Sequence, residues 1–528
     1  MPAEAYDAIV IGAGHNGLTC AAYLARARRK VLVLERRPLV GGAAVTEELF
    51  PGFKYSVCSY VVSLLRPEII RDLGLARHGL EILPLESTFT PLPNGDSLLR
   101  SADHDETRRE IYRHSPRDAD AYDRFGRLMY RMALAVKPIL SMAPPDPTSM
   151  SLKDLRGLAR LGKHFRDLSQ EDFFTLYKLM TMSSADFLDE WFETDALKAT
   201  MSASGIIGTF LGPRSPGTAY VQLHHYMGEI DGVFRAWGFA RGGTGALSDS
   251  IARAAKGFGA RIRVDACAER VIVKGGSAVG VALEGGDEIS AGLVIAGLDP
   301  KRTFLRLLDA SDLPADFLRS IERYRMRGSS GKVNLALSEL PSFTSRPGLG
   351  DHLRGAISIS PSQDYLEQAY DDAKYGEFSR RPYMDIVIPS LIDPSMAPPG
   401  KHVMSIFVQY APFDLNGGWN DERREAFGDA VIDTVSEYAP NLRDVILHRQ
   451  VLTPQDLEDE FGLTGGNIFH GDLSLQQLFF LRPVPRWANY RTPVRSLYQC
   501  GSGNHPGGGI CGAPGRLAAL EVLKDTRR

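Results

Sequence analysis

Residues 6–34 combine short apolar runs with a helical pattern. Residues 8–11 and 31–34 are continuous apolar runs, which is typical of strands buried on both faces. Between them, Leu18, Ala21 and Ala25 recur at the three- and four-residue spacing of one helix face. The pattern therefore predicts a strand, a glycine turn, a helix that packs on a sheet, and a second strand.

Further along the chain the pattern changes. Residues 118–191 carry Met, Leu, Phe and Tyr at helical spacing, with a break at the A-P-P-D-P segment 143–147. Residues 238–300 predict one helix followed by several short strands. A second, largely antiparallel sheet is predicted from apolar runs bounded by Gly and Pro, at residues 333–337, 356–360, 385–388 and 403–409.

Composition favours an ordinary soluble globular protein. Of 528 residues, 44% are hydrophobic and 24% charged, and 61 basic against 64 acidic side chains leave a formal net charge of -3. This balance provides no electrostatic drive towards nucleic acid. Glycine, with 52 residues, is frequent against a usual level of about 7%. The excess indicates sites where backbone comes close to a ligand.

No segment resembles a membrane-spanning helix. The longest uncharged stretch, residues 496–515, holds seven glycines and two prolines, a density that such a helix does not tolerate. Because the first predicted strand begins by Tyr6, there is no room for a cleaved signal or transit peptide. A cytoplasmic compartment is expected.

The cysteines do not form a redox pattern. They are widely spaced, and no C-x-x-C occurs, so the sequence supports neither a disulfide framework nor a dithiol centre. The cysteines are Cys20, Cys58, Cys267, Cys500 and Cys511.

The strongest chemical signal is a G-x-G-x-x-G motif at residues 12–17, directly after the first predicted strand. Its glycines allow a tight turn, close approach of a pyrophosphate and close helix packing, and the anion sits at the helix N-terminus. Glu35 ends the second strand eighteen residues after Gly17, close to the roughly twenty expected for a carboxylate that binds an adenosine ribose. The combination predicts dinucleotide binding.

Two further features favour FAD among the dinucleotides. The Glu35 charge disfavours the 2′-phosphate of NADP, which leaves NAD and FAD. The doublet Gly41-Gly42 and the glycine-rich segment 501–512 suit a long flavin that touches backbone at several remote points of the chain. There is no second G-x-G-x-x-G, so a separate NADPH domain is not expected. A helix is predicted over residues 516–523, with its N-terminus towards the flavin.

These segments resemble the phytoene desaturase and carotenoid isomerase branch of the FAD-dependent amine-oxidase-like proteins. The resemblance is carried by residues 6–14, 34–37, 41–43, 242–247 and 505–509. It implies an α/β fold: a Rossmann-like FAD-binding domain of the glutathione reductase and amine oxidase type, with an inserted α+β substrate or cap domain. The FAD domain is expected to comprise residues 1–75, 236–312 and 488–528, and the substrate domain residues 76–235 and 313–487.

The resemblance also implies which residues contact FAD. They lie in the glycine turn, at the second strand, at the adenine and in the C-terminal loop. They are Gly12, Gly14, Asn16, Gly17, Glu35, Arg36, Gly42, Ala43, Val271, Gly501, Ser502, Gly503 and Gly512.

Residues 222–229, 465–471 and 500–509 resemble one particular full-length relative within that branch. This resemblance implies an influence on mitochondrial function, with a respiratory-chain subunit as partner and the mitochondrial matrix as the alternative compartment.

Four histidines are candidates for catalysis: His224, His225, His470 and His505. His470 and His505 lie in glycine-rich loops expected to reach the flavin. His224 and His225, with Glu229, are either a metal or proton-relay group or a structural pair beside the flavin. No third ligand with metal spacing is nearby, so no metal site is predicted.

The sequence thus predicts an FAD-dependent oxidoreductase of desaturase or dehydrogenase type, which transfers a hydride from a mainly apolar small molecule to the flavin. Two alternatives remain open: a flavin amine oxidase, and a flavin-bound regulatory or interaction protein without turnover. Peripheral membrane contact is also left open. The Met and aromatic residues between Phe173 and Phe192 predict either an apolar substrate tunnel or a helix core.

Overall fold

The computed structural model describes residues 5–230, 232–234 and 236–526. Its helices are α1 (His15–Arg26), α2 (Pro67–Leu73), α3 (His104–His114), α4 (Pro116–Leu140), α5 (Leu152–Arg166), α6 (Gln170–Thr181), α7 (Ser184–Asp189), α8 (Asp195–Ser202), α9 (Thr218–Tyr226), α10 (Thr244–Gly257), α11 (Pro300–Leu305), α12 (Ala315–Glu322), α13 (Gln363–Lys374), α14 (Asp421–Ser436), α15 (Leu442–Val445), α16 (Pro454–Phe461) and α17 (Ala513–Asp525).

The strands pair mainly into two large sheets. In chain order they are β1 (Tyr6–Ile11), β2 (Val31–Leu34), β3 (Thr46–Phe50), β4 (Phe53–Ser56), β5 (Ile82–Pro84), β6 (Ser87–Pro91), β7 (Ser97–Ser101), β8 (Glu229–Ile230), β9 (Val233–Phe234), β10 (Gly238–Ala240), β11 (Arg261–Arg263), β12 (Ala268–Lys274), β13 (Ser277–Leu283), β14 (Glu288–Ala296), β15 (Ser330–Leu337), β16 (Ala356–Ile359), β17 (Tyr383–Val387), β18 (His402–Gln409), β19 (Ile446–Leu452) and β20 (Leu497–Gln499).

The first sheet has the strand order β11-β2-β1-β14-β13-β12, and β20 pairs with β14. Ile9 at its centre lies between Leu32 and Val294, in parallel register with both. Its central strands are buried on both faces, as the continuous apolar runs predict. Strands from the start, middle and end of the chain thus form one sheet.

Helices α1 and α17 pack against each other with their backbones in close contact. A Cβ atom built on Gly515 would stand 2.1 Å from the Asn16 carbonyl oxygen, so only glycine allows this contact. Helix α17 begins at Ala513, three residues before the predicted start at residue 516. The reason is Pro514, whose fixed φ and missing N–H suit a first helical turn.

The second sheet has the strand order β19-β15-β18-β17-β16-β6-β7. Its pairs are antiparallel except for β16 and β6, which run parallel. The predicted antiparallel sheet is therefore confirmed, with β6, β7 and β19 as strands that the sequence pattern did not predict.

The predicted helical block is confirmed as α4 to α7, and the proline-rich break separates α4 from α5. The block has its own apolar core, in which Phe125 and Phe187 are buried. The domain boundaries stay a prediction, and residue 235 at one of them lies outside the described residues. Within the described ranges, no helix is both long enough and apolar enough to cross a bilayer.

Candidate functional site

A cavity of about 700 Å³ lies between the two sheets. At one end it is bounded by the glycine turn after β1 and by Glu35 after β2. At the other end it reaches the second sheet at Lys332 and Phe407. Pockets of this size accommodate cofactors and drug-sized ligands.

The glycine turn is shaped for close approach of a ligand at one point and of backbone at another. Gly12 has φ +92°, a conformation that favours glycine. A Cβ atom on Gly17 would lie 2.1 Å from the Gly12 carbonyl oxygen, whereas one on Gly14 would meet no atom within 4 Å. Gly14, which precedes the first residue of α1, therefore leaves open space in front of the helix N-terminus.

Glu35 is held against the glycine turn. Its Oε2 accepts a hydrogen bond from the Ala13 N–H at 2.8 Å, and its Oε1 accepts one from the Arg37 N–H at 3.0 Å. The residue is buried and lines the cavity. Because each carboxylate oxygen has a second lone pair, Glu35 can still accept hydrogen bonds from the two hydroxyls of a ribose.

The C-terminal loop reaches the glycine turn. Asn16 Nδ2 donates a hydrogen bond to Ser502 Oγ at 2.9 Å, across 486 residues of sequence. Asn16 Oδ1 is buried without a hydrogen-bond partner. A Cβ atom on Gly42 would stand 3.3 Å from the Gly14 Cα. Three predicted segments of the site thus meet at one place.

The structure places the predicted cofactor residues in two groups. The cavity is lined by Gly12, Gly14, Asn16, Glu35, Arg36, Gly42, Ala43 and Ser502. The other group does not line the cavity and packs behind its wall; it comprises Gly17, Val271, Gly501, Gly503 and Gly512. A Cβ on Gly501 would stand 2.5 Å from the Leu298 carbonyl oxygen, and a Cβ on Gly503 would stand 2.3 Å from Pro300 Cδ. Gly512 directly precedes α17.

Val271 is also behind the wall. It packs in an apolar cluster, and its N–H donates to the Leu307 carbonyl at 2.8 Å. The cavity wall is formed by the segment just before it, residues 266–269. Of that segment, Ala268 opens β12.

Arg36 has a different partner from the one its motif implies. Its Nη2 donates to the carbonyls of Asp459 and Glu460, at 3.1 and 2.6 Å. Arg302 Nη2 donates to the Glu458 carbonyl at 3.3 Å. Both arginines therefore bind the C-terminal end of α16, where the helix dipole favours cations. Since Leu457 and Phe461 line the cavity, these bonds hold α16 across it.

The four candidate histidines are all enclosed, and burial lowers the pKa of each. His225 and His470 line the cavity. His225 donates from Nδ1 to the Val221 carbonyl at 2.9 Å and stacks on Trp237 with ring centroids 5.9 Å apart. The pKa of both His224 and His505 falls to about 3, and His505 contacts the Ile139 carbonyl. Neutral imidazoles of this kind can shape the cavity and orient a ligand, but they do not readily take up protons.

Lys332 is a candidate that the sequence pattern did not reveal. It is only 2% exposed, on β15, and lines the cavity. Its Nζ donates to the Cys58 carbonyl at 2.9 Å and lies 4.7 Å from the centroid of the Tyr60 ring. Burial lowers its pKa to about 7. The sequence signal that could have revealed it is a single lysine at the start of the apolar run S-G-K-V-N-L-A-L. The predicted strand began only at Val333 and therefore left Lys332 out.

The rest of the cavity near Lys332 is largely apolar. It is lined there by Tyr60, Leu64, Ile207, Trp237, Phe407, Ile468, Phe469 and Ile510. The aromatic residues considered for a substrate tunnel lie elsewhere. Phe187 and Phe192 are in the helix core, and Phe173, Phe174 and Tyr177 are exposed on α6. The core alternative therefore holds for Phe187 and Phe192, and none of these five residues lines the cavity.

The cysteines are free thiols. Cys58 and Cys267 line the cavity, and burial raises the pKa of both, that of Cys267 to about 11. They are therefore protonated at neutral pH and unsuited to nucleophilic chemistry. No group of three or more His, Cys, Asp or Glu side chains able to hold a metal occurs among residues 5–230, 232–234 and 236–526.

A glycine turn, a buried carboxylate after β2, a C-terminal loop and a second sheet surround one cavity, which is the arrangement of a flavin-binding protein of the oxidoreductase class. The chain matches the family described as "Flavin containing amine oxidoreductase" over residues 17–514. It belongs to that family, and the predicted resemblance and fold class are confirmed.

Individual relatives cover almost the whole chain. "Pyridine nucleotide-disulfide oxidoreductase domain-containing protein 2" of Rattus norvegicus is 43% identical over 99% of this chain and 94% of its own. A limonene dehydrogenase subunit of Castellaniella defragrans is 28% identical over 98% and 94%, and phytoene desaturase (lycopene-forming) of Pseudescherichia vulneris 26% over 98% and 99%. The solved structure of putrescine oxidase bound to putrescine, 16% identical over 99% of both chains with a TM-score of 0.62, shares the fold.

The family implies a flavin, and the residues present fit one. Gly14 leaves space at a helix N-terminus, and Asn16 turns an unpartnered amide oxygen into the interior. Glu35 keeps free lone pairs beside that space. A cofactor that supplies phosphate, hydroxyl and ring-nitrogen groups would satisfy these positions.

Proposed function

We propose that this chain is an FAD-dependent oxidoreductase of desaturase or dehydrogenase type, which removes a hydride from a mainly apolar small molecule. The observation that carries the proposal is the continuity of one cavity from Glu35, through the glycine turn and Ser502, to the apolar wall at Tyr60 and Phe407. A dinucleotide cofactor and an apolar substrate need these two environments side by side.

FAD is favoured over a shorter flavin because of Glu35. A flavin mononucleotide has no adenosine ribose, so it would leave the carboxylate's free lone pairs without donors. In this proposal Glu35 would hold the adenosine ribose, Gly14 and the α1 N-terminus would hold the diphosphate, and the C-terminal loop would lie beside the ring system.

The chain's residues would orient, desolvate and manage protons. The flavin, when bound, supplies the hydride-accepting chemistry, and a second acceptor reoxidises it. Tyr60, Trp237 and Phe407 exclude water from the substrate end. Lys332, with a pKa of about 7, can take up or release a proton at that wall near neutral pH.

The direct test starts from the purified protein's absorption spectrum and from reconstitution with FAD. The loaded protein is then mixed anaerobically with a panel of cyclic terpenes, polyenes and amines, and bleaching of the flavin band is followed. We expect bleaching by the cyclic terpenes or the polyenes. A protein that neither contains nor takes up FAD overturns the proposal.

The same panel separates the alternatives. Bleaching and peroxide release with amines alone would identify an amine oxidase. FAD binding without bleaching by any compound would favour a flavin-bound interaction protein. A respiratory-chain partner and the compartment stay predictions from resemblance.

A further inference from the structure

A row of side chains crosses the second sheet at the cavity. Lys332 on β15 and Asp385 on β17 are both paired with Phe407, which lies on β18 between them. Directly paired residues on neighbouring strands point to the same face of a sheet. Lys332, Phe407 and Asp385 therefore share one face, with the two ionisable groups on either side of an aromatic ring.

Tyr60 bridges this row. Its ring stacks on Phe407, with centroids 5.7 Å apart and planes at 22°. Its hydroxyl donates to Asp385 Oδ2 at 2.6 Å, and Lys332 Nζ lies 4.7 Å from its ring centroid. The phenol thus touches the amine with its face and the carboxylate with its hydroxyl.

Lys332 forms no ion pair with a carboxylate among the residues that the structure describes. The contacts of Nζ are backbone carbonyls, of Cys58 at 2.9 Å and of Ser56 at 3.4 Å, and the Tyr60 ring. An ammonium in a water-poor wall needs an opposite charge nearby. Two groups act on Lys332 electrostatically and raise its pKa against the effect of burial: the Cys58 thiol, whose effect is the larger, and the Asp385 carboxylate. Because burial keeps the Cys58 thiol protonated, Asp385 is the one of the two that carries a negative charge near neutral pH.

Few other groups near the row change charge in the neutral range. The groups that face Lys332 and Asp385 from the packed elements are the Cys58 thiol and the Tyr60 and Tyr383 phenols. Burial raises the pKa of all three well above their ordinary values. Burial also raises the pKa of Asp385, to about 6, while Lys332 has a pKa of about 7. Between pH 5 and 9, these two groups alone titrate in the row.

We propose that Asp385 is a positioning residue that acts through Tyr60 as the counter-charge of Lys332. When the neutral Lys332 amine accepts a proton through its nitrogen lone pair, the ammonium is balanced by the Asp385 carboxylate behind the phenol. The wall can then hold one proton without placing a carboxylate in contact with an apolar substrate. The catalytic consequence rests on the proposed function, whereas the electrostatic coupling does not.

The experiment measures the free energy of unfolding of the FAD-loaded protein against pH, from 5 to 9.5, by urea denaturation. The Lys332 contribution is the difference between wild type and Lys332→Met. Because the folded-state pKa of Lys332 is depressed, this contribution rises with pH from about 7 upwards. We expect Asp385→Asn and Tyr60→Phe, each paired with Lys332→Met, to shift the start of that rise about one pH unit lower.

Two variants control for a merely structural effect. Ser405→Ala removes a neutral buried hydroxyl from the same face of β18, where it donates to Asn334, and is expected to leave the onset unchanged. Asp385→Glu restores the charge and should restore the onset. If Asp385→Asn proves too unstable, Tyr60→Phe gives the same reading, because it removes the carboxylate's donor and makes its charged form less favourable.

An onset that stays at the wild-type pH in both Asp385→Asn and Tyr60→Phe overturns the inference, even if substrates bleach the flavin. Conversely, a shifted onset in a protein that no substrate reduces sustains the coupling and counts against the proposed function. In an active enzyme, the inflection in the pH profile of kcat should move in the same direction as the onset.

Discussion

At the scale of single residues, Glu35 shows how a buried carboxylate is positioned by backbone N–H groups. Two N–H groups, from Ala13 and Arg37, fix its carboxylate and leave one lone pair on each oxygen for a ligand. The charge is thereby placed beside the glycine turn before any ligand arrives.

Replacing Glu35 tests the ribose contact. Glu35→Ala should weaken FAD affinity by about tenfold to a hundredfold, since two hydrogen bonds to a charged group are lost at roughly 1.5–3 kcal/mol each before compensation by water. The measurement is a fluorescence titration of the apoprotein with FAD. Glu48→Ala, which removes an acid from the neighbouring β3, is the control. Equal affinities for the two variants would contradict the ribose assignment.

Buried His505 makes a pH-dependent contribution to stability. Its folded-state pKa is depressed to about 3 from 6.5, so the unfolded chain binds the extra proton as the pH falls below 6.5, and stability is lost. His505→Gln should reduce the slope of unfolding free energy against pH, between about 4.5 and 6, by roughly 1.4 kcal/mol per pH unit. Urea denaturation measures this slope. The exposed His448, replaced in the same way, should leave it unchanged; the same slope in His505→Gln as in wild type would refute the assignment.

At the scale of elements, the contact of α1 with α17 joins the glycine turn at residues 12–17 to the C-terminal segment of the chain. Gly515→Ala would push its Cβ into the Asn16 carbonyl, so we expect destabilisation of about 1–3 kcal/mol and weaker FAD binding, because the Asn16–Ser502 bond lies at the same junction. Thermal unfolding and FAD titration measure both effects.

Gly126→Ala is the matched control for this helix glycine. Gly126 lies within α4, and its added Cβ would meet no atom within 4 Å. Alanine there should stabilise the protein by about 0.5–1 kcal/mol. Similar effects of both substitutions would show that the α1–α17 contact is looser than described.

Elements defined by local pattern could be predicted from the sequence. Strands β1 and β2, helix α1 and the glycine turn follow from spacing over thirty residues, and the Asn16–Ser502 meeting follows from the resemblance. The cluster of Lys332, Tyr60 and Asp385 could not be predicted, because it depends on strand register between segments some 270 and 50 residues apart. The position of Val271 behind the cavity wall also depends on a contact that is distant in sequence. Its N–H donates to the Leu307 carbonyl, and the residue does not line the cavity.

At the scale of the whole molecule, the cavity lies between the two large sheets and is lined by residues of both. Residues from the first sheet, the C-terminal loop and the second sheet all line it. A ligand that fills it therefore contacts both halves of the chain, and its binding energy adds to the stability of both.

Calorimetry tests this linkage. Adding FAD at about a hundred times its dissociation constant should stabilise the protein by about 2.7 kcal/mol, and the unfolding of both sheets should shift upwards as one transition. The control is flavin mononucleotide, which lacks the group expected at Glu35 and should give a smaller shift. Two separate unfolding transitions, of which FAD shifts only one, would contradict the claim that the ligand stabilises both sheets.

The bonds from Arg36 and Arg302 to the C-terminal carbonyls of α16 have a kinetic consequence. In the proposed binding mode, α16 lies across the adenosine end of FAD, and the cofactor would leave only when these arginine bonds open. The rate of exchange is then governed by the detachment of a two-turn helix, whereas the affinity is governed by contacts beneath it. In that binding mode, FAD would exchange with solvent more slowly than its contacts within the cavity alone would dictate.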